Sequence, residues 1–121
     1  MEPIVGYLLL GANLGAKPDK FSQAYNFGPY LSDALPVEEM LQLAIESWGK
    51  GEYIVEKTEN QPHEAGLLKL DISKAISELK WKPKLNAEEA VSMTMDWYYL
   101  FFLNPNEMDQ NTTKQIIDFL S

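Results

Sequence analysis

The chain is 121 residues long, enough for one domain with a modest core, and its apolar fraction of 45% is ordinary for a globular protein. Ten basic residues, scattered along the chain, face 18 acidic ones, and the net charge of −8 argues against a nucleic-acid or anionic-membrane partner. Cysteine is absent, which excludes disulfides, thiolate zinc sites and cysteine nucleophiles and fits a cytoplasmic protein.

The N-terminus, Met1-Glu2-Pro3, has no basic region of the kind that opens a signal peptide. Glu2 and Pro3 instead suit a helix start, since an acid and an early proline both fit the first turn. The helix body, Ile4 to Leu14, is apolar nearly all round, so burial on more than one side is expected. Gly15, followed by Pro18, should end it. Ala24-Tyr25-Asn26-Phe27 reads as a short strand stopped by Gly28-Pro29. Pro36-Val37-Glu38-Glu39 opens a second helix through Met40, Leu41, Ile45 and Trp48, with Gly49 as its C-cap.

Glu52–Lys57 and Leu67–Asp71 read as two more strands, apolar or β-branched and bounded by turn residues. Asp71 and Ser73 both offer caps to a short helix ending near Lys80. Asn86-Ala87-Glu88-Glu89 has the pattern of a capping box with Asn as the cap, and a long helix should follow to Leu103. Asn104-Pro105-Asn106 breaks it, and Thr112 or Thr113 should cap a last helix, Lys114 to Leu120. The longest apolar runs, Tyr7–Leu10 and Trp97–Leu103, fall far short of the ~20 residues that span a bilayer. The pattern predicts an α/β fold, helix-rich, with few short strands.

Candidate chemistry is sparse. The best polar pair is His63-Glu64, in a loop after Asn60-Gln61-Pro62 and before a predicted strand. Such a loop can aim side chains at a ligand: His can donate to a phosphate or base edge, and Glu can accept from ribose hydroxyls. On these residues alone a solvated surface loop is the commoner account, since a single His and a single Glu occur in many loops. Tyr53-Ile54-Val55-Glu56-Lys57 matches Tyr-x-x-x-Lys, but an acid–base pair of that kind needs one helical turn between its members. On the predicted strand they would stand about 13 Å apart. Gly6, Gly11 and Gly15 do not form a dinucleotide fingerprint, and no strand precedes them. Glu38-Glu39 and Glu88-Glu89 are first-turn acids explained by the helix dipole. One histidine and no cysteine leave no metal constellation. The aromatic cluster Trp97, Tyr98, Tyr99, Phe101 and Phe102 lies at helical spacing and is expected to pack in the core.

The order of motifs from Pro62 to Pro83 is more specific than any of these. Asp71-Ile72-Ser73-Lys74-Ala75, Leu79-Lys80-Trp81-Lys82-Pro83 and the helix from Asn86 resemble the C-terminal end of extended short-chain dehydrogenase/reductases that act on nucleotide sugars. Tyr25-Asn26-Phe27-Gly28-Pro29 and Pro36-Val37-Glu38-Glu39 resemble the strand and helix that precede that end. Within the family, Glu2-Pro3-x-x-Gly6-Tyr7-Leu8 and Pro62-His63-Glu64-Ala65 resemble the branch of CDP-glucose 4,6-dehydratases.

The resemblance implies a parent enzyme that uses NAD and removes water from a CDP-hexose by oxidation, elimination and re-reduction. It implies that Glu64 lies near the ribose and His63 beside it toward nucleotide or phosphate. Gln61 stands near where related epimerases place a phosphate-binding arginine. Lys80 replaces a family glycine that serves as a left-handed C-cap. The family's glycine-rich phosphate turn, its Tyr-x-x-x-Lys and its acid–base pair all lie upstream of the matching region. The chain is therefore expected to form a single segment, residues 1–121, lacking the dinucleotide-binding half. It should carry no catalytic or cofactor-binding residue, bind no NAD by itself and bind CDP-sugar weakly or not at all. Alone it should expose the first helix and the Tyr25–Phe27 edge and self-associate, most simply as a two-fold dimer.

Overall fold

The computed structural model describes residues 1–55 and 69–121. It begins with α1 (Glu2–Ala16), followed directly by the short α2 (Pro18–Phe21). The two helices are separated only by Lys17, whose N–H closes α1 on the Asn13 carbonyl. An irregular segment and a 3-10 turn at Leu31–Asp33 lead to α3 (Val37–Trp48), which ends on Gly49 in the left-handed conformation, φ 82°. After residues 69–72 comes a short helix beginning at Ser73, π-helical over Ala75–Leu79 and closed by Lys80, also left-handed at φ 59°. α4 (Ala87–Leu103) and α5 (Met108–Leu120) complete the chain, joined by a 3-10 turn at Pro105–Glu107. No described helix is long and apolar enough to cross a membrane.

The buried core sits between α1, α2 and the π-turn. It comprises Phe21, Phe27, Ile72, Ala75, Leu79 and Trp81, with Val5, Leu9, Leu10 and Leu14 of α1 packed against it. Phe27 occupies the centre, with the Trp81 ring edge-on at 5.0 Å and the Tyr7 ring edge-on at 5.3 Å. It rests directly on Gly6, where a Cβ would come within 2.6 Å of Phe27 Cε1. A bare α-carbon is the only one this contact accommodates.

The second layer is the pair α3 and α4, buttressed by α5. Trp97 Nε1 donates to Thr112 Oγ1 at 2.9 Å, and Gln115 Nε2 donates to the Met93 carbonyl at 2.9 Å, fixing α5 along α4. Among the described residues, bonds through Lys84 and Leu85 join the layers. Glu2 Oε1 accepts from the backbone N–H groups of Lys84 and Leu85, at 2.7 and 2.8 Å. Lys84 Nζ donates to the Phe119 carbonyl at 2.6 Å.

Three expectations are corrected. The fold is not α/β: among the described residues there is no strand and no sheet. Of the segments read as strands, Ala24–Phe27, the described Glu52–Val55 and the described Lys69–Asp71 carry no regular structure. A strand exists only through a ladder to a neighbour. Here the Ala24 carbonyl is taken by Lys74 Nζ, and the Asn26 side chain, through Nδ2, ties the segment to the Asp71 carbonyl. The alternation that suggested pairing records burial alone, Tyr25 and Phe27 turning inward and Ala24 and Asn26 outward. Lys57, Leu67 and Leu68 lie outside the described residues.

The second correction concerns the aromatic cluster on α4, which is a surface feature. Tyr98, Tyr99, Phe101 and Phe102 are all exposed, with Phe102 at 74%. They pack on one another and on Trp48, which meets Tyr99 edge-on at 5.5 Å, while Trp97 stacks on Phe101 at 5.6 Å. Third, the last helix starts at Met108 rather than Lys114. The 3-10 turn runs straight into it, so neither threonine caps an end. Thr113 Oγ1 donates back to the Asp109 carbonyl, and Thr112 accepts from Trp97.

α1 divides into two faces. Val5, Gly6, Leu9, Leu10, Asn13 and Leu14 turn inward, whereas Ile4, Tyr7, Leu8, Gly11, Ala12, Gly15 and Ala16 are exposed. Burial on more than one side, expected from the all-round apolar pattern, is not seen: the inward face alone is packed, and the outward one is equally apolar but exposed.

Candidate functional site

Gln61, His63 and Glu64 lie outside the described residues. Their flanks are described, and both are tied to the same part of the molecule. On the entry side, Tyr53 Oη donates to Glu38 Oε1 in the first turn of α3 at 2.7 Å and accepts from Gln42 Nε2 at 3.5 Å. On the exit side, Lys69 Nζ donates to the Leu31 carbonyl at 3.3 Å. Leu70 covers Gly28, where a Cβ would lie 3.4 Å from Leu70 Cδ1. Asp71 then caps the short helix, its Oδ1 accepting from Ser73 N at 2.8 Å. The hydrogen bonds from the Ser73 hydroxyl and backbone hold the Asp71 carboxyl below its ordinary value.

Tyr53 cannot act as the acid of a Tyr-x-x-x-Lys pair. It is in no helix, and its bond to Glu38 raises its pKa, the opposite of what proton transfer near neutrality requires. Lys57, the other member of the pair, lies outside the described residues.

Beside these flanks lies a cavity of about 600 Å³, within the usual range for small-ligand sites. Its floor is the gap between α3 and α4, where Met40 and Ala44 face Ala87, Ala90, Val91 and Thr94. Gly28, Pro29 and the Asp33–Leu35 turn form one wall, and Pro3, Pro83 and Leu85 the other. The polar groups at its edge are mostly committed elsewhere. Glu2 holds Lys84 and Leu85, Asn86 caps α4, and Thr94 Oγ1 donates to the Ala90 carbonyl. Among the described residues, the carboxylate of Asp33 has no partner. The cavity is thus a dry shelf suited to an apolar or ring face.

The sequence reading did not find this cavity. Ala87, Ala90, Val91 and Thr94 are legible as one helix face from their i, i+3, i+4, i+7 spacing. What spacing cannot show is how far α3, with Met40 and Ala44, stands from that face.

No family model matches the chain. Over all 121 residues it is 33% identical to a curated CDP-glucose 4,6-dehydratase of Salmonella typhimurium strain LT2. The similarity is thus to a nucleotide-sugar dehydratase. It spans about a third of the length of that Salmonella protein. The likeness bears out the resemblance read from the motifs, and the structure gives several of those motifs a physical task. Asp71 and Ser73 make the cap of the π-turn. Lys74 Nζ donates to Gln23 Oε1 at 2.8 Å and to the Ala24 carbonyl at 3.1 Å, and lies 4.6 Å above the Tyr25 ring. Trp81 joins the core and Pro83 is buried beside the cavity, while Lys80, Lys82 and Lys84 are exposed, so the Trp-Lys-Pro stop is a two-sided ribbon between layers.

Proposed function

We propose that this chain is the C-terminal, substrate-binding portion of a CDP-glucose 4,6-dehydratase, an enzyme that dehydrates CDP-glucose to its 4-keto-6-deoxy form. The observation that carries this reading is a likeness extending over the entire chain yet over only about a third of the relative. NAD, in such an enzyme, takes up and returns the hydride that begins and ends the reaction. This chain's share is binding. Glu64 would accept from the ribose hydroxyls of the CDP moiety, and His63 would donate toward its phosphates. Gln61 would hydrogen-bond nearby without supplying charge. All ten basic residues of the chain are lysines, so a planar, two-pronged arginine clamp on the diphosphate must come from elsewhere. The reaction belongs to deoxysugar synthesis in the cytoplasm, and this portion alone would not carry it out.

A second reading, that the piece works as a stand-alone interaction module, is favoured by one observation: the outward face of α1 is apolar along its whole length. Calorimetric titration separates the two. On the first reading CDP gives a weak heat that His63→Ala and Glu64→Ala each abolish, and NAD gives none. Binding of NAD by this chain, or CDP binding indifferent to both substitutions, would overturn it.

A further inference from the structure

The helices pack within each layer rather than between layers. α1 packs on α2 and the π-turn, α3 on α4, and α4 on α5, and among the described residues no comparable seam joins a helix of one layer to a helix of the other. Where the layers face each other lies the cavity of about 600 Å³. Pro3 of α1 and Gly28 beside Phe27 stand on one side of it, and Met40, Ala44, Ala90 and Val91 of α3 and α4 on the other. Atoms that line a void have no partners across it, so the layers gain little dispersion energy from each other there.

What crosses instead is the ribbon between the π-turn and α4. Trp81 N–H still closes the π-turn on the Ala75 carbonyl, and Asn86 N–H already belongs to the α4 cap. Between them, residues 82–85 have no regular structure and make no backbone–backbone hydrogen bond among the described residues. One oxygen holds their conformation: Glu2 Oε1 takes the N–H groups of both Lys84 and Leu85. Lys84 faces both ways, its N–H bonded to the start of α1 and its Nζ to the Phe119 carbonyl near the end of α5. Without that carboxylate the two N–H groups would turn to water, and the buried core around Phe27, which does not include Glu2, would not have to change. The other described connection, residues 28–36, is irregular apart from the 3-10 turn at Leu31–Asp33. Hinges are short irregular stretches of this kind between packed bodies. We infer that the two layers are separate rigid bodies hinged at residues 82–86, and that the Glu2 carboxylate is the strap that fixes the angle between them and with it the width of the cavity.

The chain has no cysteine, so pairs of spin labels can be placed by cysteine substitution and the distance between them read as a distribution. Ala12→Cys on α1 with Lys114→Cys on α5 spans the layers, and Glu46→Cys on α3 with Lys114→Cys stays inside the second; all three positions are exposed. Labelled chain is diluted in excess unlabelled chain, so that only distances within one copy are read. With Glu2 in place, both pairs should give one narrow distance. Glu2→Ala should broaden the distribution between positions 12 and 114 roughly twofold or more, and leave that between 46 and 114 unchanged.

Glu2→Gln guards against a variant that simply fails to fold. It keeps an acceptor oxygen and loses the charge, and should give an intermediate width in the pair that spans the layers. Amide exchange gives an independent reading. In Glu2→Ala the N–H groups of Lys84 and Leu85 should exchange roughly tenfold faster or more, while those in the middle of α1 and α4 change far less. Equal broadening of both label pairs would mean that Glu2 stabilises the whole fold rather than the angle, and it overturns the hinge. A distance between positions 12 and 114 that stays narrow in Glu2→Ala, or is already broad with Glu2 in place, overturns the strap.

Discussion

Tyr25 donates its phenolic proton to Glu78 Oε2 at 2.6 Å, across 53 residues of sequence. The bond joins the irregular segment after α2 to the π-turn. Lys74, one turn earlier on the same short helix, holds the Gln23 side chain and the Ala24 carbonyl and lies over the Tyr25 ring. Glu78 and Lys74 together therefore grip residues 23–25 from one helix face. That grip sets the direction in which Phe27 enters the core.

The Tyr25 bond makes stability depend on alkaline pH. The Glu78 carboxylate holds the phenolic proton, and the Tyr25 pKa is pushed up from 10.0 to about 12. A folded-state value above the unfolded one means that the native state keeps its proton while the unfolded state loses it. The contribution is thus fully present below pH 10 and disappears as pH rises from 10 toward 12. Ultraviolet titration of the chain's six tyrosines should show a group ionising near pH 12 that is absent in Tyr25→Phe. The same variant should flatten the loss of thermal stability above pH 10. An unchanged titration curve would remove Tyr25 from this role.

Gly6 and Gly11 lie on opposite faces of one helix and should respond oppositely to the same substitution. Glycine to alanine in a helix interior ordinarily stabilises by roughly 0.5–1 kcal/mol. At Gly11 the new Cβ meets nothing, so that gain should appear in dilute urea titrations. At Gly6 it would come within 2.6 Å of Phe27 Cε1, and the ring cannot retreat because Tyr7 and Trp81 flank it. Overpacking of this kind costs about 1–3 kcal/mol, so Gly6→Ala should destabilise. A stabilised Gly6→Ala would mean that Phe27 is not seated there.

Features that depend on a few neighbouring residues were legible in the sequence. Pro3 and Glu2 start α1, Gly49 ends α3, and Asn86 with Glu89 caps α4 as their local chemistry dictates. Features that depend on distant partners were not. Tyr25 and Phe27 alternate like strand residues, yet what they face is a helix and a tryptophan, and no neighbouring backbone completes a ladder. The α4 aromatics have helical spacing, but spacing does not say whether another element arrives to cover them. The α3–α4 cavity arises from the distance between two helices, which no residue encodes alone. The motifs around Asp71 and Trp81 were legible as a family signature before they were legible as a cap and a ribbon.

Lys80 adopts φ 59° and ψ 20°, the left-handed conformation that ends the π-turn. A side chain there crowds the following carbonyl at a cost of about 1–2 kcal/mol, which glycine avoids while losing part of the gain to its greater unfolded freedom. Lys80 is exposed, and its substitution removes no packing. Lys80→Gly should therefore stabilise by roughly 0.5–1 kcal/mol, visible as a raised denaturation midpoint. Lys80→Ala, which keeps the Cβ, should not reproduce the gain. Equal effects from the two variants would place the lysine side chain, rather than the backbone, in control.

The capping box of α4 offers a test of how the two layers depend on each other. Asn86 Oδ1 accepts from Glu89 N at 2.8 Å, and Glu89 Oε2 accepts from Asn86 N at 2.9 Å. The preceding residues, Lys84 and Leu85, donate their N–H groups to Glu2. Four consecutive links thus run from the start of α1 to the first turn of α4. Asn86→Ala removes one acceptor and should cost about 1 kcal/mol in urea unfolding. Glu2→Gln retains an acceptor oxygen but loses the charge that strengthens both backbone bonds, and it should cost a similar or smaller amount. Because the two sites share one short ribbon, the double variant should cost measurably less than the sum of the singles. Strict additivity would mean that α1 and α4 begin independently, and that Glu2 merely lies beside the ribbon it is bonded to here.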